Sequence, residues 1–266
     1  MADASMAESD TQGTADRTAG RHVYEDPPGL WRLRSRGCWT EAAELLAAGS
    51  ASDPDAALRR AALLTERCLF TASGWAEAED ALRTAEALAR TDAERGRAAC
   101  ERGHLAYAAT VLHVRDRADE ARAALGRGAA LLPPGVRDRA LLDFRRGLVA
   151  ENLAGNPAGA KLAYRRAHAA AAAHGDRLLF SFTWRHLAGL ALREGDLAEA
   201  RHGFAKSLRI REELGYLIGT TPALVSLAEV EPETETAARL RGEAHRLFRL
   251  LGGIPVWLAD VLGDED

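Results

Sequence analysis

The sequence predicts an all-α protein, a solenoid of about five to six helix pairs. Three observations carry this. Apolar residues make up 47% of the chain but aromatics only 6%, so alanine and leucine, both strong helix formers, supply most of the apolar surface. β-Branched residues are scarce, which disfavours an extensive sheet. From Pro27-Pro28-Gly29 onward, apolar residues recur at three-to-four spacing, and the pattern breaks at near-regular intervals. The small residues just beyond the breaks are Ala42, Ala78, Ala121, Ala160, Ala200 and Ala237, spaced 36, 43, 39, 40 and 37 apart. A repeat near 40 residues signals stacked helix pairs.

Taken in order, residues 1–26 are acidic and polar, without the basic and apolar regions of a secretory signal. They read as a disordered tail. The repeat domain is predicted over 27–258, and the acidic stretch 259–266 reads as a second tail. Within the domain the breaks SRGCW, ASGWA, HVRDRA, AGNPAG, REGDLA and VEPETE separate first from second helices. Trp39 and Trp75 stand just after the first two breaks, where an aromatic packs on the preceding helix. The third pair carries Ala121, Leu125, Gly128 and Pro133; the fourth carries Phe144, Gly147, Leu148, Ala160, Tyr164 and Ala167. In the fifth, Leu178, Phe180, Trp184, Leu187, Ala188 and Ala191 form one apolar stripe. Gly195 suits the left-handed position that closes that helix, and Asp196 suits the N-cap of the next. The second stripe is Leu197, Ala200, Phe204 and Leu208. Neither helix hides its stripe alone, so the pairs must stack. Trp31 and Trp257, near the two ends, are predicted to cap the core.

This fifth pair resembles a tetratricopeptide repeat, whose pattern is W-x2-L-G-x2-Y followed by Ala, Phe, Ala and Pro. Trp184, Leu187, Ala188 and Ala191 stand in the first part, and Ala200, Phe204 and Ser207 in the second. Alanine replaces the Gly and the Tyr, serine replaces the last Ala, and the closing Pro is missing. The resemblance covers roughly Leu30 to Trp257. The long period and the ending ETAARLRGEAHRLFRLLGG resemble the C-terminal repeats of large bacterial ATP-binding transcription regulators. The resemblance implies a right-handed α-solenoid acting as an interaction or regulatory module. The nucleotide-binding and helix-turn-helix domains of those regulators find no segment in these residues.

Other chemistry leaves little trace. The net charge is -4, with no basic excess for nucleic acid, and no run of 18 apolar residues suggests a membrane span. Cys38, Cys68 and Cys100 are odd in number and widely spaced, which suggests reduced thiols and a cytoplasmic location. Both lysines, Lys161 and Lys206, follow alanine, so there is no P-loop. Gly126 and Gly128 begin a dinucleotide fingerprint that Leu131 ends. His104 and His113, like His168 and His174, fall on different helix faces and offer no metal site. Cys100 and His104 share a face, but a dyad would need an orienting group and a pocket. The expectation is therefore no catalytic residue, no metal and no cofactor.

The first helices of stacked pairs line the concave face. Counting back from the aligned alanines places Arg67, Phe70, Tyr107, His113, Arg145, Asn152, Phe182 and Arg185 there. On this count Arg145 and Arg185 stand side by side, one repeat apart. Paired guanidiniums would take an acidic group or a C-terminal carboxylate, with Phe and Leu pockets beside them. The opposing reading pairs these arginines with acids such as Asp143 or Glu151, at the surface. The lysine and asparagine pattern of chaperone-tail clamps is not reproduced. The leading expectation is a non-catalytic scaffold or adaptor binding a protein or peptide in an open groove. The alternative is a sensor with an enclosed pocket among Phe70, Tyr107, His113 and Phe182. A second alternative is an enzyme on a helical-repeat frame, working through Glu151, His113 or Cys100.

Overall fold

A computed structural model describes residues 26–258. Apart from Asp26, the predicted tails at 1–26 and 259–266 lie outside the described residues. Among the described residues all regular structure is helical. The helices run α1 Pro28–Arg34, α2 Trp39–Leu45, α3 Pro54–Thr71, α4 Trp75–Leu88, α5 Asp92–Val111 and α6 Ala118–Leu131. They continue α7 Asp138–Asn152, α8 Pro157–Ala173, α9 Arg177–Arg193, α10 Leu197–Glu213, α11 Leu217–Glu229 and α12 Thr234–Leu251, with 3-10 turns at Gly49–Ala51 and Val256–Leu258. From α3 onward each odd helix packs chiefly on the even helix after it, and successive pairs lie side by side.

Local chemistry sets the boundaries. Asp53, Asn156, Asp176 and Asp196 accept from backbone amides at the starts of α3, α8, α9 and α10. Thr91 and Glu94 form a reciprocal capping box on α5, satisfying amides that the first turn leaves open. Gly155, Gly175, Gly195 and Gly215 all have positive φ, a left-handed turn that glycine adopts without a Cβ penalty. They fall 20 residues apart, one at each of four consecutive helix ends.

The pairs lock through small residues. Ala42, Ala78, Ala121, Ala160, Ala200 and Ala237 are each the fourth residue of an even helix, and none is more than 5% exposed. Opposite them a small residue on the odd helix admits a large one. A Cβ on Gly103 would sit 2.6 Å from Leu125, and one on Gly147 would sit 2.5 Å from Cδ1 of the buried Tyr164. In the fifth pair, Ala188, Ala191, Ala200 and Phe204 form one cluster. Trp184, half-buried, meets the rings of His168, Phe180 and His202. Leu187 is half-buried too. Leu197, predicted to be core, is instead exposed, because it is the first residue of α10 and points off the stripe.

The two ends of the described chain meet. The Ile218 amide at the start of α11 donates to the Ser35 carbonyl after α1 (2.9 Å). Trp31 Nε1 donates to the Leu214 carbonyl (3.2 Å), and its ring stacks on Tyr216 at 5.6 Å. Leu30, Trp39, Leu63, Leu178, Tyr216 and Ile218 share one apolar cluster across this seam. Trp257 reaches Phe70 edge-on. No described helix is long and apolar enough to cross a membrane.

Candidate functional site

The odd helices line a partly open cavity of about 570 Å³. Its apolar wall includes Leu63, Phe70, Leu148, Phe144, Phe182 and Trp257. Of the predicted groove residues, Phe70, Tyr107, Arg145, Asn152, Phe182 and Arg185 line it. Two do not. Arg67 turns toward the start of α4, donating to Glu77 (2.6 Å) and Thr40 (3.1 Å). His113 lies beyond the end of α5 in a left-handed turn, φ 55°, and is exposed.

Most of the cavity's charges are already matched. Near the seam, Arg34 bonds Glu66 (2.8 Å) and Asp26 (3.2 Å), Arg59 bonds Asp55 (2.9 Å), and the Tyr216 hydroxyl donates to Glu66 (2.6 Å). Deeper in, Arg145 donates to the buried Glu101 (2.6 Å) and to Cys100 Sγ (3.3 Å). Burial alone would raise the Glu101 carboxyl; the Arg145 charge and the His104 bond outweigh it and hold the group at about 2. A third node forms on Glu151, which takes Tyr164, His186 (3.2 Å) and Arg193. There too burial is outweighed, by the hydrogen bonds to His186, Tyr164 and Arg193, and the carboxyl lies at about 2. His186 is pushed down, chiefly by burial, against the hydrogen bond to Glu151 that would raise it. Asn152 donates to the Tyr107 hydroxyl (2.8 Å).

Two guanidiniums have no carboxylate. Arg211 donates to the Gly219 carbonyl (2.7 Å) and the Ser181 hydroxyl (3.3 Å), and lies 5.0 Å from the Phe182 ring centre. Arg185 lines the cavity and makes no hydrogen bond or ion pair to any described residue. Burial, with the neighbouring Arg185 charge, pushes Arg211 down; burial likewise lowers Arg185, against the charges of Glu151 and Glu229.

The predicted Arg145–Arg185 pair is not formed as counted. The turn between α7 and α8 spans residues 153–156, whereas that between α9 and α10 spans only 194–196. Counting back from the alanines therefore slips by one residue. The small residues Gly147 and Ala188 are the equivalent positions, so Arg145 corresponds to His186, and Arg185 to Phe144. The acids named for surface pairing are not the partners either: Arg145 uses Glu101, and Glu151 takes Arg193. The Cys100–His104 dyad is not assembled, because His104 Nδ1 faces Glu101 (3.4 Å) and burial pushes the Cys100 thiol up.

Residue counting missed Glu66, His186, Arg211 and Tyr216. Arg211 did leave a signal: it extends the buried stripe Phe204, Ser207, Leu208 of α10, and a charge on a core stripe is uncommon. The sequence matches no protein-family model and no curated protein.

Proposed function

We propose that the protein is a ligand-binding sensor or regulatory module, built as a tetratricopeptide-like helix-pair solenoid whose inner face serves as a small-molecule pocket. The observation that carries this reading is the seam. With α11 bonded to the residue after α1, the inner face becomes a cavity of about 570 Å³, within the usual range of small-ligand sites. Aromatic walls with a few convergent polar groups are what such sites use to bind and orient a ligand. An extended partner running along an open groove would have to part the seam first.

A second reading, the protein-binding scaffold, is favoured by the outer layer. Leu45, Leu162, Leu197 and Leu250, the most exposed large apolar side chains, all lie on even helices. That reading moves the partner from the inner face to the outer one.

Native mass spectrometry of the full chain, recovered under mild conditions from a bacterial host, tests the proposal. The expected result is a retained small molecule that raises the melting temperature when added back. Protein that carries no small molecule, but co-purifies with a partner lost on Leu162→Ser and Leu197→Ser, would replace the pocket with the scaffold.

A further inference from the structure

Cations and anions lining the cavity can be matched one against another. Arg34, Arg59, Arg145 and Arg193 each hold a carboxylate. Arg185 and Arg211 do not, and both line the same cavity. A guanidinium drawn partly out of water without a carboxylate is unfavourable in general, and two on one cavity wall add repulsion. Nothing in the helix packing needs Arg185 as a donor, since no described residue accepts from it. Its neighbour is fixed: the Gly219 carbonyl, the Ser181 hydroxyl and the Phe182 face hold Arg211 in place. The result is a cationic wall with one planar fork of N–H groups that no described residue accepts from, the geometry that takes a carboxylate through two parallel bonds.

The surroundings narrow the class further. Glu151 and the exposed Glu229 line the same cavity as Arg185, so a dianion would meet two negative charges. Phe144, Leu148, Phe182 and Leu192 form the adjoining apolar wall. Resting on the pocket reading above, we infer that the ligand is a small amphipathic monoanion, an apolar acid whose carboxylate docks on Arg185 beside Arg211 and whose body lies against Phe144 and Phe182. The C-terminal residue of a short apolar peptide would offer the same chemistry, and the test separates the two sources.

The full chain is titrated calorimetrically with decanoate, decanol, decyl phosphate, and N-acetyl-leucyl-phenylalanine as free acid and as amide. Decanoate is expected to bind at least ten-fold tighter than decanol. Arg185→Gln should abolish that difference while leaving decanol unchanged, and Arg165→Gln, on an exposed site of α8, should change nothing. Arg185→Gln is also expected to raise the ligand-free melting temperature, by about 2–4 °C for a domain of this size, because it removes a half-buried positive charge that no carboxylate matches. An arginine that merely supports the fold would lower it. Equal binding of acid and alcohol, or decanoate binding that survives Arg185→Gln, overturns the carboxylate site and leaves the pocket standing. Decyl phosphate binding tighter than decanoate overturns the monoanion argument. A free-acid peptide tighter than both its amide and decanoate keeps the carboxylate site and overturns the small-acid source. Failure of every probe overturns this ligand class, while the pocket itself is judged by the mass-spectrometric capture.

Discussion

At the scale of single residues, the interior is a set of buried charges and what each one found. Glu101 and Glu151 are held at about 2, below the usual carboxylate value near 4.5. A carboxyl whose folded value is depressed stabilises the fold fully above its unfolded value, and that contribution fades as pH falls toward the folded one. The window is therefore about pH 4.5 down to 2. In urea titrations the unfolding midpoint should fall steeply across it, each carboxyl contributing on the order of 1–3 kcal/mol. Glu151→Gln, which keeps an acceptor for Tyr164, should flatten the slope. An acid-side slope identical to wild type would place the Glu151 carboxyl at an ordinary value. Arg145 and Arg185 show how far residue identity carries. Both are arginines on inner helices, yet one meets Glu101 from α5 and the other meets none.

Helices and their pairing were the most legible part of the molecule. The six aligned alanines are all fourth residues of even helices, because the close approach of two helices demands a small side chain at the same turn each time. Gly195 and Asp196 close one helix and open the next as their chemistry dictates. Legibility failed where turn length entered. One extra residue between α7 and α8 moved the register of Arg145 against Arg185, and periodicity alone does not count residues in a turn. The Gly147–Tyr164 contact offers a direct check on the corrected register. The alanine methyl in Gly147→Ala would land 2.5 Å from Cδ1 of a fully buried ring, so Tyr164 must shift and its bond to Glu151 with it. Overpacking of this kind costs about 1–3 kcal/mol, which outweighs the alanine's helix advantage of roughly 1 kcal/mol. Urea unfolding that shows Gly147→Ala as stable as wild type would mean that α7 and α8 meet at a different register.

At the scale of the whole molecule, a pocket with Phe70, Tyr107 and Phe182 in its wall was legible only as an alternative, and the meeting of the ends was not legible. Trp31 and Leu214, bonded across the seam, lie 183 residues apart, and no repeat pattern encodes a contact between its first and last units. Curvature accumulates from the small rotation between neighbouring pairs, and whether the ends meet depends on that sum rather than on any one residue. Parting the seam would widen the cavity without unfolding a helix pair. Glu66 holds the seam from α3, accepting from Arg34 on one side and from Tyr216 on the other. Glu66→Ala removes the acceptor of the Tyr216 hydroxyl and one of the carboxylates that Arg34 holds, and a buried donor left without a partner costs about 1–3 kcal/mol. That cost falls chiefly on the seam, because the hydrogen bonds that Glu66 accepts come from Arg34 and Tyr216. Hydrogen exchange should therefore accelerate at the Ile218 amide, whose acceptor is the Ser35 carbonyl, while amides in the middle of α7 keep their protection. A pocket guarded by the seam should also load and release decanoate faster in Glu66→Ala. Exchange that rises equally in α7 and at Ile218 would mean that the ends are part of one cooperative core, and that ligands reach the cavity by another route.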